Sequence, residues 1–299
     1  MAPHEIPPPA SSGMTQRTAV PLYWCAYGPP ASEAARILVL HGGPGAHHDY
    51  LLPQMLSLAT AAGGRQLVFY DQRGGGRSKT SDQTPITWQT QATDVGDVVR
   101  EFDLGDSVIA GYSWGGLLAM LYAADRARRG DAPPRALVLI DPAPVSRRFR
   151  AEFEAEFSQR QASPEIRRMR EELAASGLRD RDPAAYRQRN FEISVAGYFA
   201  DPRLSADLTP FRVMARVQQS VWDSLGDFDL VADGRLAAIR TPTLIVHGRQ
   251  DPIPLASSQE AARVMGANLV VLDDCGHVPY VEQPRGLFAA IDDFLGRVS

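Results

Sequence analysis

The sequence predicts an α/β protein built on a mostly parallel sheet flanked by helices. Three observations point there. Short runs rich in Val, Ile and Leu recur and end at turn signals, and none alternates polar with apolar, which suits strands buried on both faces. Helical patterns lie between them. The rhythm breaks once, between Asp141 and Arg240, where no strand run appears and the composition is helical.

The elements follow in order. The opening MAPHEIPPPASSG has neither a basic n-region nor an apolar h-region, so no secretory signal is expected. Its consecutive prolines and small polar residues make 1–16 a flexible tail, with Met14 an alternative start. Ala19–Tyr27 reads as an N-terminal, antiparallel strand. The buried runs are Ile37–Leu40, Gln66–Tyr70, Ser107–Ala110, Ala136–Ile140, Thr243–Val246 and Asn268–Leu272. Trp88–Phe102 carries Val95, Val98, Val99 and Phe102 on one helical face. Leu117–Ala124 is apolar nearly all round and belongs inside, against the sheet, and Gly286–Val298 reads as a closing helix. Arg147–Ser176 and Ala184–Phe199 are helical and rich in Arg, Glu and Asp. The expected organisation is a core of 17–144 and 236–299, with 145–235 as a helical cap or lid.

Composition narrows the function. The 299 residues are 44% hydrophobic and 22% charged, an ordinary globular balance. The net charge is −4 and no Lys/Arg run occurs, which argues against a nucleic-acid or anionic-membrane partner. Cys25 and Cys275 make no disulfide framework and suit a reducing compartment, so a cytoplasmic location is expected. No apolar run approaches the roughly 20 residues that span a bilayer. No metal or organic cofactor is called for, because no H-E-x-x-H, Cys/His cluster or P-loop string is present.

The chemistry sits at the ends of the buried runs. Gly111-Tyr112-Ser113-Trp114-Gly115 follows the strand Ser107–Ala110 and precedes a helix, the setting in which a G-x-S-x-G serine becomes an exposed nucleophile. His41-Gly42-Gly43-Pro44-Gly45 follows Ile37–Leu40, and the N–H groups of Gly43 and Trp114 would hold an oxyanion. A serine hydroxyl needs a base. His277 stands just after the last strand and Asp251 just after the one before it, and the order Ser113, Asp251, His277 is the order of this strand–turn–helix chemistry. Asp141, after Ala136–Ile140, is the second-choice acid. His41 reads as structural, His47 and His48 follow the oxyanion loop, and His247 orders the acid loop. Asp273 and Asp274 read as loop-capping carboxylates and Cys275 as a small residue in a tight loop. Asp71 and Arg73 are read as bracing neighbouring loops.

HGGPG at 41–45, DQRGGGRS at 71–78 and GYSWGG at 111–116 together resemble the proline iminopeptidase family. GRQDPIP at 248–254 and CGHVPYVEQP at 275–284 fit the wider α/β-hydrolase pattern. The resemblance implies an α/β-hydrolase fold, with a helical cap inserted after the sixth strand of that fold. It implies removal of an N-terminal residue, often proline, from short peptides without a metal. It also implies acidic side chains around the cap that hold the substrate amine. Candidates are Glu192 and Asp223, with Tyr198 and Gly42 lining the same pocket; position 252 is proline, so no second carboxylate follows the acid. A carboxylesterase or other ester, amide or lactone hydrolase would use the same triad with no amine anchor, and a ligand-binding scaffold would need no triad at all.

Overall fold

A computed structural model describes residues 5–30, 35–60 and 64–298. Eight strands form one sheet: β1 (Ser11–Met14), β2 (Tyr23–Tyr27), β3 (Ala35–Leu40), β4 (Arg65–Tyr70), β5 (Val108–Tyr112), β6 (Ala136–Ile140), β7 (Thr243–Gly248) and β8 (Asn268–Leu272), in the spatial order β1-β2-β4-β3-β5-β6-β7-β8. β1 and β2 pair antiparallel, as do β2 and β4, and every pairing from β4 through β8 is parallel. The fold is the α/β-hydrolase type the sequence predicts.

The helices are α1 (Trp88–Glu101), α2 (Trp114–Arg129), α3 (Arg147–Gln161), α4 (Pro164–Ala175), α5 (Leu178–Arg181), α6 (Pro183–Val195), α7 (Ala215–Leu225), α8 (Arg235–Ala238), α9 (Leu255–Met265), α10 (Pro279–Glu282) and α11 (Pro284–Val298). Successive strand residues point to opposite faces. Leu38, Leu40, Ile109 and Leu139 meet α1, α2 and α9 on one side, and Val39, Ala110, Ile140 and Val246 meet α11 on the other. Both faces are therefore apolar, which explains why the runs show no alternation. α1 starts at a capping box in which the Thr87 hydroxyl accepts the Thr90 N–H and the Thr90 hydroxyl accepts the Thr87 N–H.

Two expectations change. The tail reading fails for Ser11–Met14, which is the edge strand β1 hydrogen-bonded to β2. Its residues are mostly exposed, so no apolar pattern marks it, and a short edge strand needs only ladder bonds on one side. The strand read over Ala19–Tyr27 is confined to Tyr23–Tyr27. Between β6 and β7 the chain is helical, and the single stretch Arg147–Ser176 divides where Ser163 caps α4 and Pro164 occupies its first turn. This helical insertion carries a small core of its own, Ile166, Met169, Leu173, Ile193 and Ala196, and seats Val217, Val221 and Leu225 of α7 on the main core.

Candidate active site

Each parallel strand delivers one piece of the site at its carboxyl end, where open α/β sheets build binding crevices. Ser113 stands between β5 and α2 at φ +52 and ψ −118, a backbone that side chains rarely adopt. The turn closes only because its neighbours lack Cβ atoms: one at Gly111 would lie 2.3 Å from the Gly115 carbonyl oxygen. Ser113 is thereby lifted from the sheet and left partly exposed.

His277 lies beyond β8 and Asp251 beyond β7. The Ser113 hydroxyl and His277 Nε2 are 3.0 Å apart, and His277 Nδ1 is 2.7 Å from Asp251 Oδ2. With Nδ1–H donated to the carboxylate, Nε2 is left as an acceptor for the serine proton. The other Asp251 oxygen accepts the Ile253 N–H at 2.7 Å. Burial lowers His277 to about 4, more than the neighbouring acids Asp141 and Glu282 offset, so the ring is unprotonated and free to accept a proton at neutral pH.

Gly43 and Trp114 present backbone N–H groups that no acceptor among the described residues occupies. Gly42 is packed between Ser113 and Tyr50, where an added Cβ would lie 2.8 Å from the Ser113 Cβ and 2.8 Å from the Tyr50 hydroxyl. Its N–H donates to that hydroxyl at 2.7 Å.

The loops are braced by buried polar contacts. His41 accepts the Gln72 N–H, Gln72 donates back to the His41 carbonyl, and the Trp114 indole N–H is shared by Gln72 and Gln91. Asp71 accepts from His48 and from the Arg77 N–H, and Arg73 and Asp94 form a buried fork at 2.6 Å on both arms. His48 also approaches Cys25 Sγ at 3.2 Å, deep below the surface.

The substrate candidates do not all converge. Tyr198 does: its ring lies 5.2 Å from the His277 ring, and its carbonyl accepts the His277 N–H at 2.7 Å. Glu192 is buried on α6, but Arg189 holds its carboxylate at 2.7 Å and Gln188 at 3.1 Å. Asp223 is exposed on α7, accepts from Gln219 at 2.7 Å and shares a recess with Arg147 and Arg150, not with Ser113. The cause is the helix face: Val217, Val221 and Leu225 point inward and turn Asp223 out.

Two further acids matter to the geometry, and the sequence reading missed the first. Glu282, five residues after His277, accepts the N–H groups of Gly276, Val278 and Ala200, tying the histidine loop to the helical insertion. Burial pushes it up to about 7 in spite of those bonds. Asp141, the second-choice acid, is fully buried, accepts the Gly248 N–H at 2.7 Å and sits beside Asp251, not against the imidazole. Donor atoms of Asp141, His247 and Asp251 lie within 4.8 Å of one another. Both His247 nitrogens are engaged, one by Ile253 O at 3.1 Å and one by Ser258 Oγ at 2.9 Å, which leaves a metal only two carboxylates.

A cavity of about 680 Å³ opens next to the oxyanion loop. Phe211 in its wall lies tilted against Tyr50 at 4.4 Å, and Lys79, Arg187 and Arg212, with Arg77 paired to Asp49, leave its lining cationic on balance.

A strand–turn–helix serine, a histidine and an acid on successive parallel strands, and a helical insertion over them define a hydrolase of the α/β class. The chain belongs to the alpha/beta hydrolase family, whose pattern it matches over residues 37–291. Among curated proteins, the proline iminopeptidase of Lactobacillus delbrueckii subsp. lactis is 36% identical over 110 residues, a match spanning 36% of this chain and only 37% of that protein. The proline iminopeptidase of Lactobacillus helveticus (strain DPC 4571) is 24% identical over 295 residues, 88% of this chain and 90% of its own. Among solved structures, proline iminopeptidase from Mycobacterium smegmatis superposes with a TM-score of 0.69 at 22% identity, covering 96% of this chain and 98% of that one. These relatives agree with the motif resemblance. No helix among the described residues is long and apolar enough to cross a membrane.

Proposed function

We propose that the chain is a serine hydrolase of proline iminopeptidase type that releases an N-terminal proline or small apolar residue from short peptides in the cytoplasm. The observation that carries the hydrolase is the continuous relay from Ser113 through His277 to Asp251, at 3.0 and 2.7 Å, beside two unengaged backbone N–H groups, and the similarity to proline iminopeptidases supports the aminopeptidase. Ser113 Oγ attacks the carbonyl carbon of the first peptide bond while its proton passes to His277 Nε2. The oxyanion takes the N–H groups of Gly43 and Trp114. His277 then returns the proton to the departing amine as the C–N bond breaks. Water, deprotonated by the same imidazole, frees the acyl group from Ser113. Asp251 fixes the tautomer and stabilises the imidazolium.

A second reading, an esterase, lactonase or other amidase with the same relay, is favoured by a specific observation. Glu192 is already paired and Asp223 faces away, so neither offers a free carboxylate to a substrate amine, and the adjoining cavity is cationic. A substrate panel separates the two. Prolyl and alanyl p-nitroanilides that turn over, and stop turning over when the amine is blocked, identify the aminopeptidase. Turnover of p-nitrophenyl acyl esters with none of the amino-acyl amides identifies the esterase. Ser113→Ala abolishes either.

A further inference from the structure

Asp141 takes no part in the reaction just described, yet it borders its acid. It follows β6 directly at φ +40 and is wholly buried. One carboxyl oxygen accepts the Gly248 N–H at 2.7 Å. The other, Oδ2, is sealed from solvent and meets no N–H or O–H donor among the described residues. Its neighbour is the Asp251 carboxyl: an oxygen of each lies within 4.8 Å of the other, and both side chains are buried.

Two buried carboxylates this close raise one another's pKa, which favours a proton on one of the four oxygens. His247 cannot supply it. Its ring lies 3.7 Å from Asp141 and 3.9 Å from Asp251, but its N–H is donated to the Ile253 carbonyl and its second nitrogen accepts from Ser258. Asp251 already receives two donors, the His277 ring and the Ile253 N–H, whereas Asp141 receives one. The anion belongs where more donors stabilise it, and the proton on the other partner.

We infer that Asp141 is a positioning residue that stays protonated and donates from its free oxygen to Asp251, so that the acid of the relay is a carboxylic acid–carboxylate pair. This rests on the reading of Ser113, His277 and Asp251 as a working relay. The shared proton holds the Asp251 carboxylate in line with His277 Nδ1 and removes the repulsion that two anions would exert in a buried site. Burial raises both carboxyls, Asp251 to about 8 and Asp141 well above the usual carboxylate range, and the charge of Asp251 adds to the rise at Asp141; the donor count places the proton on Asp141. The other titratable groups facing this pair are His247, Cys275, Glu282, Arg160 and the phenols of Tyr112, Tyr198 and Tyr280.

The test uses the full chain. With aspartate carboxyls labelled by carbon-13, infrared difference spectra at neutral pH should show a protonated-carboxyl band that shifts with the label, separating it from Glu282, and that is missing in Asp141→Asn. In parallel, the rate at which a fluorophosphonate labels Ser113 reads relay function whichever substrate is the true one. Asp141→Ala should slow labelling roughly ten- to hundredfold, the usual loss when a hydrogen bond to a charged group goes. Asp141→Asn, whose amide donates where the acid did, should recover to within about tenfold of wild type. Asp141→Ser repeats the comparison with a smaller donor if the amide does not fit. A wild-type protein with no aspartic-acid band overturns the inference. So does Asp141→Ala that labels at the wild-type rate, or a donor variant no better than alanine. Failure of the probe to label wild-type protein would instead sink the relay reading, and the infrared band alone would then decide the protonation of Asp141.

Discussion

Gly115→Ala concentrates the geometry of the site into one methyl group. Gly115 is the second residue of α2, pressed against the end of β3. A Cβ there would lie 2.1 Å from the Leu40 carbonyl oxygen, 2.6 Å from its carbon and 2.7 Å from the His41 oxygen. Ordinary contact begins at 3.4 Å, so the nearest approach is short by 3.4 minus 2.1, or 1.3 Å. Every atom in the way is backbone, so no rotamer relieves it, and α2 must retreat from β3. Trp114 N–H and Ser113 move with α2, while Gly43 stays with the loop after β3, so the two oxyanion donors part. A misplacement of about 1 Å can cost on the order of a hundredfold in rate. Overpacking of this kind costs about 1–3 kcal/mol of stability. Fluorophosphonate labelling of Ser113 and urea denaturation measure the two. Gly296→Ala is the matched control, since nothing lies within 4 Å of its new Cβ in α11, and there alanine should stabilise by up to about 1 kcal/mol. A Gly115→Ala protein with wild-type labelling and stability would refute the close-approach reasoning.

Further outcomes follow from the same coordinates. Ser113→Ala or His277→Ala should lower kcat on the order of 10⁶-fold, and Asp251→Ala by about 10⁴-fold, because the relay acts as a unit; single-turnover assays on the accepted substrate check this. Because burial holds His277 at about 4, its own protonation should not lower kcat/KM until pH falls to about 5, and in Glu282→Gln, which removes the group at about 7, the profile should stay level to that point. A limb centred near the ordinary histidine value would contradict that shift. Asp94→Ala strands the Arg73 guanidinium with only the Pro85 carbonyl, and should cost about 3–5 kcal/mol in urea unfolding, more than replacing both residues by apolar ones.

Much of this was written in the sequence at short range. A strand buried on both faces must be apolar throughout, so the runs ending at Leu40, Tyr70 and Ile140 were visible without neighbours. The glycines around Ser113 signal a tight turn for the same local reason, and the acid and base stand at strand ends that the runs define. What could not be read depends on partners distant in sequence. Ser11–Met14 is a strand only because β2 offers a ladder. Glu282 ties the histidine loop to the helical insertion through the amide of Ala200, 82 positions away, which only folding brings to it. Asp141 and Asp251, 110 positions apart, meet because β6 and β7 are neighbours. The outward turn of Asp223 was readable: Val217, Val221 and Leu225 recur at helical spacing and fix the inner face of α7 without it.

Identifying the residue modified by a fluorophosphonate tests the central claim most directly. Mass spectrometry of the digested adduct should place one phosphonyl group on Ser113, on the wild-type chain and not on Ser113→Ala. A folded wild-type protein that takes up no label, or carries it on another residue, would contradict it.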